Sequence, residues 1–192
     1  MPLVAALLAA GAGTRFLGPT HKLQATLHGR PVWEWSLRRV EAAGFDHVVV
    51  VTGAVDLSLP DDARMTTTVR HNPDWAAGQS TSLRVAAATA RELGADAVTI
   101  GLADQPFVTS EAWRAVAEAP ANCRIVLAEY DGRLGPHPVR LSAEVWPLLP
   151  TVGDQGARHL FGLHPEWVCR VPCTGSVDDI DTVEDLHRWK SC

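Results

Sequence analysis

Runs of aliphatic residues that recur along the chain constrain its fold more than any other feature of the sequence. The runs at 3–8, 47–52 and 97–102 are almost entirely apolar. A strand that is apolar on both faces is typical of a parallel sheet with helices on either side. Segments with helical spacing separate these runs, and such alternation brings parallel strands side by side. The sequence therefore predicts an α/β fold of three layers, in which a mostly parallel sheet lies between two layers of helices (α/β/α).

Further elements extend this alternation. Additional strands are predicted at 65–69, 124–128 and 167–171, and helices are predicted after Pro31, from Ser80 or Ser82 to Leu93, near Thr109, over 142–149, after Arg158 and over 183–189. A hydroxyl side chain stands where it can cap the helix that begins near residue 80. The pattern becomes irregular after Gly132, where the chain reads Gly135-Pro136-His137-Pro138.

Length and charge narrow the class of protein. With 192 residues the chain can bury one good core, so a single domain over 1–192 is expected. The formal net charge of -5 argues against a nucleic-acid partner, because phosphate backbones are held mainly by excess Lys and Arg. No apolar segment reaches the roughly 20 residues of a membrane span, and no basic region precedes the first run. Neither a membrane partner nor a signal peptide is predicted, and the expected location is cytoplasmic.

The four cysteines, Cys123, Cys169, Cys173 and Cys192, are scattered along the chain. They form no Cys-x-x-Cys units, which argues against a zinc site and against a disulfide framework. The sequence therefore predicts free thiols.

A glycine-rich turn and two cationic side chains follow the first predicted strand. The turn reads Leu8-Ala9-Ala10-Gly11-Ala12-Gly13-Thr14-Arg15, and Lys22 comes after it. Gly and Ala let backbone N–H groups approach a triphosphate closely, and fixed positive charge neutralises its oxygens. The dinucleotide fingerprint would need glycine at Phe16, and the P-loop would need Lys and then Ser or Thr after Gly18, so neither motif is present. A phosphate-binding loop and an ordinary turn with surface cations both remain open.

Two carboxylates from distant parts of the chain are candidate metal ligands. Asp104 follows the third aliphatic run, at the edge of the sheet where ligands of such folds bind. Asp181, with Asp179 beside it, lies near the end of the sequence. Since Mg²⁺ prefers carboxylate and phosphate oxygens, both acids are candidates to hold it. The alternatives are a turn aspartate at Asp104 and a helix N-cap at Asp181, three residues before Glu184.

Three further groups of polar residues stand at predicted helix starts or in loops. Gln79, Ser80 and Ser82 could read a base or bind a phosphate, although capping alone would explain the hydroxyls. His137, between two prolines, presents a rigid imidazole, and the alternative is an exposed loop histidine without a role. The turn from Asp154 to Arg158 delivers a guanidinium that can bind an anionic acceptor or remain solvated.

Taken together, these segments resemble the molybdenum cofactor nucleotidyltransferases. The motifs that carry the resemblance are Leu8-Ala9-Ala10-Gly11-Ala12-Gly13-Thr14-Arg15-Phe16 with Lys22-Leu23, Gly78-Gln79-Ser80-Thr81-Ser82-Leu83, Leu102-Ala103-Asp104-Gln105-Pro106, Gly153-Asp154-Gln155-Gly156-Ala157-Arg158 and Asp179-Ile180-Asp181-Thr182. They cover nearly the whole chain in the family's order. The resemblance is closest to the cytidylyltransferase members, because Ala9-Ala10-Gly11 stands where guanylyl members tend to carry Ala-Gly-Gly.

The resemblance implies a Rossmann-like nucleotidyltransferase fold of the GT-A type that uses Mg²⁺ and a nucleoside triphosphate and releases pyrophosphate. It favours CTP over GTP as donor. The implied acceptor is phosphorylated, such as molybdopterin, and a molybdoenzyme or its maturation factor would be a further partner. The alternative functions are transfer to a sugar phosphate or another small acceptor, and delivery of nucleotide or cofactor without catalysis.

The resemblance also implies a role for individual residues. The implied residues are Arg15, Lys22 and Asp104 for catalysis; Leu8, Ala9, Ala10, Gly11, Ala12, Gly13, Arg15, Lys22, Gln79, Ser80 and Ser82 for the nucleotide; His137, Asp154, Gly156 and Arg158 for the acceptor; and Asp104 and Asp181 for the metal. We therefore expect these positions, which are spread over most of the sequence, to meet in the folded chain.

Overall fold

The computed structural model describes residues 1–190, except for the side chains of residues 133–136. Its strands and α-helices are, in chain order, β1 Val4–Ala9, β2 Thr26–Leu27, β3 Arg30–Pro31, α1 Val32–Ala42, β4 His47–Thr52, β5 Thr67–His71, α2 Gln79–Glu92, β6 Ala97–Leu102, α3 Ser110–Ala117, β7 Ile125–Tyr130, β8 Arg133–Ser142, α4 Arg158–Leu163, β9 Val168–Cys173 and α5 Val183–Lys190. Short 3-10 turns lie between them at Lys22–Gln24, Trp75–Ala77, Trp146–Leu148 and Pro165–Trp167. The predicted alternation of strands and helices is confirmed over most of the chain.

Seven strands form the central sheet in the order β5-β4-β1-β6-β8-β7-β9. Strands β5, β4, β1 and β6 are parallel to their neighbours in that series, as is β7 to β9, whereas β8 is antiparallel to both β6 and β7. The register aligns Leu8 of β1 with Leu102 of β6. The loops that follow these two strands therefore leave the sheet side by side, which brings the glycine-rich turn close to Asp104.

Two hydrophobic cores lie on opposite faces of the sheet, because successive side chains of a strand point to opposite sides. In β1, Leu7 packs with α1 and α3, whereas its neighbour Leu8 packs with α2. The buried helical side chains are Trp33, Leu37, Val40, Trp113 and Val116 on the first face and Leu83, Ala86, Ala87 and Ala90 on the second. The prediction of a three-layer α/β/α fold with a mostly parallel sheet is confirmed.

The irregular segment after Gly132 is a strand. It forms β8, which lies between β6 and β7 in the sheet. The register of β7 against β8 shifts between Leu127 and Glu129, opposite the part of β8 that contains Pro136 and Pro138. Proline cannot donate to a strand ladder, and such an irregularity accommodates it. The sequence pattern obscured this strand because prolines interrupt it.

Two other local predictions also differ from the structure. The helix expected over 142–149 is only the 3-10 turn Trp146–Leu148. Its second residue, Pro147, lacks the N–H that a continuing helix would use. Strand β5 begins at Thr67, two residues later than predicted.

The prediction of free thiols is wrong for two of the cysteines. Cys123 and Cys169 form a disulfide, with their Cα atoms 5.7 Å apart. Cys169 lies in β9 and pairs with Val126 of β7, so the sheet brings β9 beside the segment that carries Cys123. Cys173 is a free thiol, and Cys192 lies outside the described residues. In the described part of the chain, every helix is too short or too polar to span a membrane.

Candidate active site

An open cleft of about 370 Å³ lies at the carboxyl ends of β1 and β6. Ligands of open α/β sheets bind at this edge. The glycine-rich turn forms one wall, and the start of α2 forms another. Of the residues predicted to bind the nucleotide, those that line the cleft are Leu8, Ala9, Ala10, Gly11, Ala12, Gly13, Arg15, Lys22, Gln79 and Ser82. Asp104, Asp154 and Asp181 line it as well.

Lys22 joins the two predicted metal ligands at the base of the cleft. Its Nζ lies 2.5 Å from Oδ2 of Asp104 and 2.7 Å from Oδ1 of Asp181. Oδ2 of Asp181 pairs with Arg15, whose side chain is 74% exposed. Burial by itself lowers the pKa of Lys22, but the two carboxylates raise it by more, so the pKa lies above its ordinary value. The ammonium is therefore charged and held between two acids.

The 3-10 turn Lys22–Gln24 fixes the start of the Lys22 side chain, and His21 caps this turn. Nδ1 of His21 accepts from the N–H of Leu23 at 3.2 Å, and its Nε2 lies 3.0 Å from the carbonyl oxygen of Gly11. Nε2 therefore carries the ring proton and donates to the glycine-rich turn. Burial lowers the pKa of His21, which favours this neutral form. Gly13 has φ +62°, and a side-chain carbon there would lie 2.9 Å from the His21 ring.

The segment between β9 and α5 delivers Asp181 to the site. The N–H of Ile180 donates to the carbonyl oxygen of Asp104 at 2.9 Å, and the Ile180 side chain is fully buried. The N-cap at Asp181, which the sequence left open beside the metal role, is not found. Thr182 caps α5 instead, because its Oγ1 accepts from the N–H of Asp185, whose carboxylate accepts from the N–H of Thr182. The Asp181 carboxylate points into the cleft and pairs with the two cations.

Asp179 lies on the other side of Ile180 and is held by Gln105. Nε2 of Gln105 donates to its Oδ1 at 2.7 Å. Partial burial raises the pKa of Asp179 to about 6, and the negative charge of Asp104 adds to this effect. Asp179 is thus paired with Gln105, whereas Asp181 shares the Lys22 ammonium with Asp104.

Helix α2 is capped from a distant part of the chain. The N–H of Gln79 donates to Oδ1 of Asp154 at 3.1 Å, and the N–H of Ser80 donates to the carbonyl oxygen of Gly153 at 2.9 Å. Gly78, just before the helix, has φ +107°, and a side-chain carbon there would lie 2.5 Å from the Gly153 backbone. Only glycine permits this close approach. The turn predicted to bind the acceptor thus also caps α2.

The predicted capping role of Ser80 and Ser82 is wrong, because both serines lie inside α2 and are buried. Oγ of Ser82 accepts from Nδ2 of Asn72 at 2.9 Å. Ser80 is fully buried, and its Oγ has no hydrogen-bond partner among the described residues. Burial therefore keeps Ser80 out of the cleft, against its predicted contact with the nucleotide.

A second cavity of about 30 Å³ adjoins the cleft and shares Gln79 as a wall. Three of the predicted acceptor residues line it, namely His137, Gly156 and Arg158. His137 is only 8% exposed, so it is not a loop histidine at the surface. Burial lowers its pKa to about 3, with a smaller contribution from the positive charge of Arg158. His137 is therefore a neutral group in the wall of this cavity.

The residues at the base of the cleft suit a divalent cation. Asp104 and Asp181 supply hard oxygen donors, and Oδ1 of Asp104 is buried with no hydrogen-bond partner among the described residues. Within the same part of the chain, no cluster of three or more His, Cys, Asp or Glu side chains is arranged to hold a metal. A cation here would thus take two carboxylates, and its other ligands would come from substrate phosphates and water, as is usual for Mg²⁺.

Sequence reasoning missed two residues of this site. Trp75 is half-buried and lines the cleft. Its Cβ packs against the backbone at Gly53, beside Ala10. His21 stabilises the glycine-rich turn by its hydrogen bond to the carbonyl oxygen of Gly11. Two features of the sequence could have indicated these residues. Trp75 follows the turn Asn72-Pro73-Asp74, and His21 comes directly before Lys22.

Comparison with known proteins agrees with this geometry. Residues 5–167 match the family model described as the MobA-like NTP transferase domain. The chain is 31% identical over 198 residues to the purine catabolism protein PucB of Bacillus subtilis (strain 168), covering 95% of this chain and 93% of that protein. It also resembles the crystal structure of Rv0371c from Mycobacterium tuberculosis H37Rv, with 27% identity, a TM-score of 0.82 and coverage of 100% and 99%. A structure of Rv0371c in complex with manganese has 24% identity, a TM-score of 0.76 and the same coverage.

A nucleotidyl transferase from Methanothermobacter thermautotroptrophicus shares the fold as well. Its TM-score is 0.77 at 24% identity, and the alignment covers 99% of this chain and 96% of that one. The predicted fold class and the predicted family are both confirmed by these comparisons.

Proposed function

The chain belongs to the family of MobA-like NTP transferase domains, and from this membership we propose that it transfers CMP from CTP to a phosphorylated acceptor such as molybdopterin. Membership makes the chain a nucleotidyltransferase. One observation carries the residue assignment, namely the meeting of Lys22, Asp104 and Asp181 at the base of a cleft walled by a glycine-rich turn.

In this proposal the glycine-rich turn receives the triphosphate. Its small residues leave backbone N–H groups accessible to phosphate oxygens. Arg15 and Lys22 are the cations beside this turn, and they neutralise the phosphates. Gln79, at the start of α2, lines the cleft, and in this proposal it contacts the base or the ribose. The preference for CTP rests on Ala9-Ala10-Gly11, the sequence feature shared with cytidylyl members.

The reaction forms one bond and breaks one. An oxygen of the acceptor phosphate attacks the α-phosphorus of CTP, and the bond from that phosphorus to the bridging oxygen breaks. Its electron pair leaves with pyrophosphate. An ionised phosphate is nucleophilic, so the site needs no general base. The chain's part is to align the two substrates and to stabilise charge on the departing pyrophosphate through Arg15 and Lys22.

Asp104 and Asp181 would hold the Mg²⁺ that this chemistry uses. The bound cation would supply positive charge to the phosphoryl oxygens. In the free protein the two carboxylates hold the flexible side chain of Lys22 in one position at the base of the cleft. Asp104 thus has two roles in the proposal, as a counterion of Lys22 in the free protein and as a metal ligand when substrate is bound.

In this proposal the acceptor binds in the cleft, with its anionic group directed towards the residues that line the smaller cavity beside it. Arg158 supplies a guanidinium that suits an anionic group, and Gly156 leaves room for its approach. His137 contributes a neutral wall, and Asp154 joins the acceptor side to α2. A cytoplasmic location and a molybdoenzyme or maturation factor as partner belong to the same proposal.

The test is pyrophosphate release from CTP, GTP, ATP and UTP, each with Mg²⁺ and with molybdopterin or a sugar phosphate as acceptor. We expect release from CTP with molybdopterin, and a loss of at least about 100-fold for Asp104→Asn, which keeps the shape but removes the charge. Asp61→Asn is the matched control, because Asp61 is exposed in the loop after β4, away from the cleft. Release with only the sugar phosphate would reassign the acceptor. Equal release by the wild type and Asp104→Asn would remove Asp104 from the mechanism.

A further inference from the structure

The carboxylate oxygens at the base of the cleft are almost all occupied by the chain's own cations. Lys22 takes Oδ2 of Asp104 and Oδ1 of Asp181, and Arg15 takes Oδ2 of Asp181. Oδ1 of Asp104 alone is unpartnered within the described residues. A divalent cation that binds both acids therefore competes with Lys22 and Arg15 for the oxygens of Asp181 and is repelled by their positive charge.

Of the two cations, Lys22 opposes the binding of a divalent cation more strongly than Arg15 does. Its side chain is 11% exposed and contacts both acids, whereas that of Arg15 is 74% exposed and contacts one. Exposed ion pairs contribute little because solvent screens them, so Arg15 leaves easily. A buried pair resists separation, because removal of one partner leaves the other charge uncompensated. The acids therefore release Lys22 only when another cation replaces it.

We propose that Lys22 closes the divalent-cation site in the free protein and opens it on moving to the phosphates of the bound nucleotide. This inference rests on the proposed function, since it assigns the cleft to a triphosphate. Within the cleft, the glycine-rich turn lies beside Lys22, so the phosphates bind within reach of its ammonium. Lys22 and Arg15 move to the phosphates of the nucleotide as the divalent cation replaces them at the carboxylates. Lys22 thus serves in turn as a counterion for the acids and for the phosphates.

Two consequences follow for binding. The free protein binds a divalent cation weakly, because an ammonium already neutralises the acids. Nucleotide and cation then favour each other's binding, and coupling of this kind is reciprocal. Pairing with Lys22 keeps Asp104 and Asp181 neutralised before substrate binds, and it makes binding of the divalent cation depend on the nucleotide.

The test uses Mn²⁺ alone as the probe, measured by electron paramagnetic resonance of the free ion, with no nucleotide present. Lys22→Met removes the ammonium and keeps an unbranched stem. Lys190→Met is the matched control, since Lys190 is exposed at the end of α5 and is the only other lysine in the sequence. Lys22→Gln, which can still donate to a carboxylate, replaces Lys22→Met if that variant does not fold by circular dichroism.

We expect Lys22→Met to bind Mn²⁺ about tenfold or more tightly than the wild type, within the usual range of coupling between sites. Lys190→Met should match the wild type. Because metal binding stabilises the folded state, Mn²⁺ should also raise the melting temperature of Lys22→Met more than that of the wild type.

Equal Mn²⁺ affinity of the wild type and the Lys22 variant would overturn the inference, whatever their activities. Absence of pyrophosphate release from the wild type would instead contradict the proposed function, whatever the manganese data. The two failures are therefore distinguishable. Asp181→Asn in the Lys22→Met background should abolish the gain in affinity, and a gain that survives this change would place the Mn²⁺ elsewhere and overturn the inference.

Discussion

The backbone N–H of Ile180 donates to the carbonyl oxygen of Asp104 at 2.9 Å. This hydrogen bond joins the segment after β9 to the segment after β6, and it sets the spacing of the Asp181 and Asp104 carboxylates. The Ile180 side chain packs in a small third cluster with Phe16, Leu27 and Leu186. The site is thus held by a buried apolar residue that lies between its acidic neighbours.

Truncation of Ile180 should loosen the site as well as the core. Ile180→Ala should lower the free energy of unfolding by about 2–4 kcal/mol, because it leaves a cavity at a fully buried position. Activity should fall with it, since Asp181 loses its anchor. Urea unfolding and pyrophosphate release measure the two effects. Leu163→Ala, at a side chain that is 68% exposed, should change the unfolding free energy by less than about 0.5 kcal/mol. Equal stability of the two variants would contradict the packing role.

Substitution of Gly78 should separate the cleft walls. Gly78→Ala combines a positive φ with a contact of 2.5 Å to the Gly153 backbone, so the loop that caps α2 must move. Gly94→Ala has a positive φ too, but its added carbon meets no atom within 4 Å in the described structure. We expect Gly94→Ala to cost about 1 kcal/mol of unfolding free energy and Gly78→Ala more. Only Gly78→Ala should weaken CTP binding, as measured by calorimetry. Similar losses of affinity in both variants would contradict the assignment of Gly78 to the cleft.

His137 should make stability depend on pH. Burial lowers its pKa to about 3, from an ordinary value of 6.5, so the unfolded chain binds a proton that the folded chain excludes. The stabilisation is complete above about pH 6.5 and falls as the pH drops towards 3, by at most about 1.4 kcal/mol per pH unit. Urea unfolding between pH 7 and 5 should show a shallower slope for His137→Gln than for the wild type. His71→Gln, at an exposed position in β5, should keep the wild-type slope. An unchanged slope in His137→Gln would show that the ring is accessible to protons.

Loss of the disulfide should destabilise the edge of the sheet. Cys123 and Cys169 are 46 residues apart in sequence, and closing a loop of this size restricts the unfolded chain. Cys169→Ser should lower the unfolding free energy by about 2–4 kcal/mol under oxidising conditions. A reductant should have the same effect on the wild type and none on the variant. Cys173→Ser, which removes the free thiol of β9, should keep the response to reductant. A wild type that is insensitive to reductant would contradict the role of the bond in stability.

The sequence determined the layers of the fold and most of the residues that line the cleft. A strand that helices cover on both faces must carry apolar side chains on both faces, and the aliphatic runs of the sequence show this directly. The glycine-rich turn and Asp104 both follow buried strands, so their meeting could be predicted from a rule about parallel sheets. The strand β8 escaped prediction because Pro136 and Pro138 break the local pattern, whereas its place is set by pairing with β6 and β7.

Only the tertiary structure decided which groups touch. The sequence could not assign Lys22 to the acids rather than to solvent, Thr182 rather than Asp181 to the helix cap, or Cys123 to Cys169. Each of these choices depends on the distance between segments that are far apart in the chain. Local propensity carries no information on such distances. They follow from strand register and from the burial of residues such as Ile180, which fix the backbone before any side chain selects its partner.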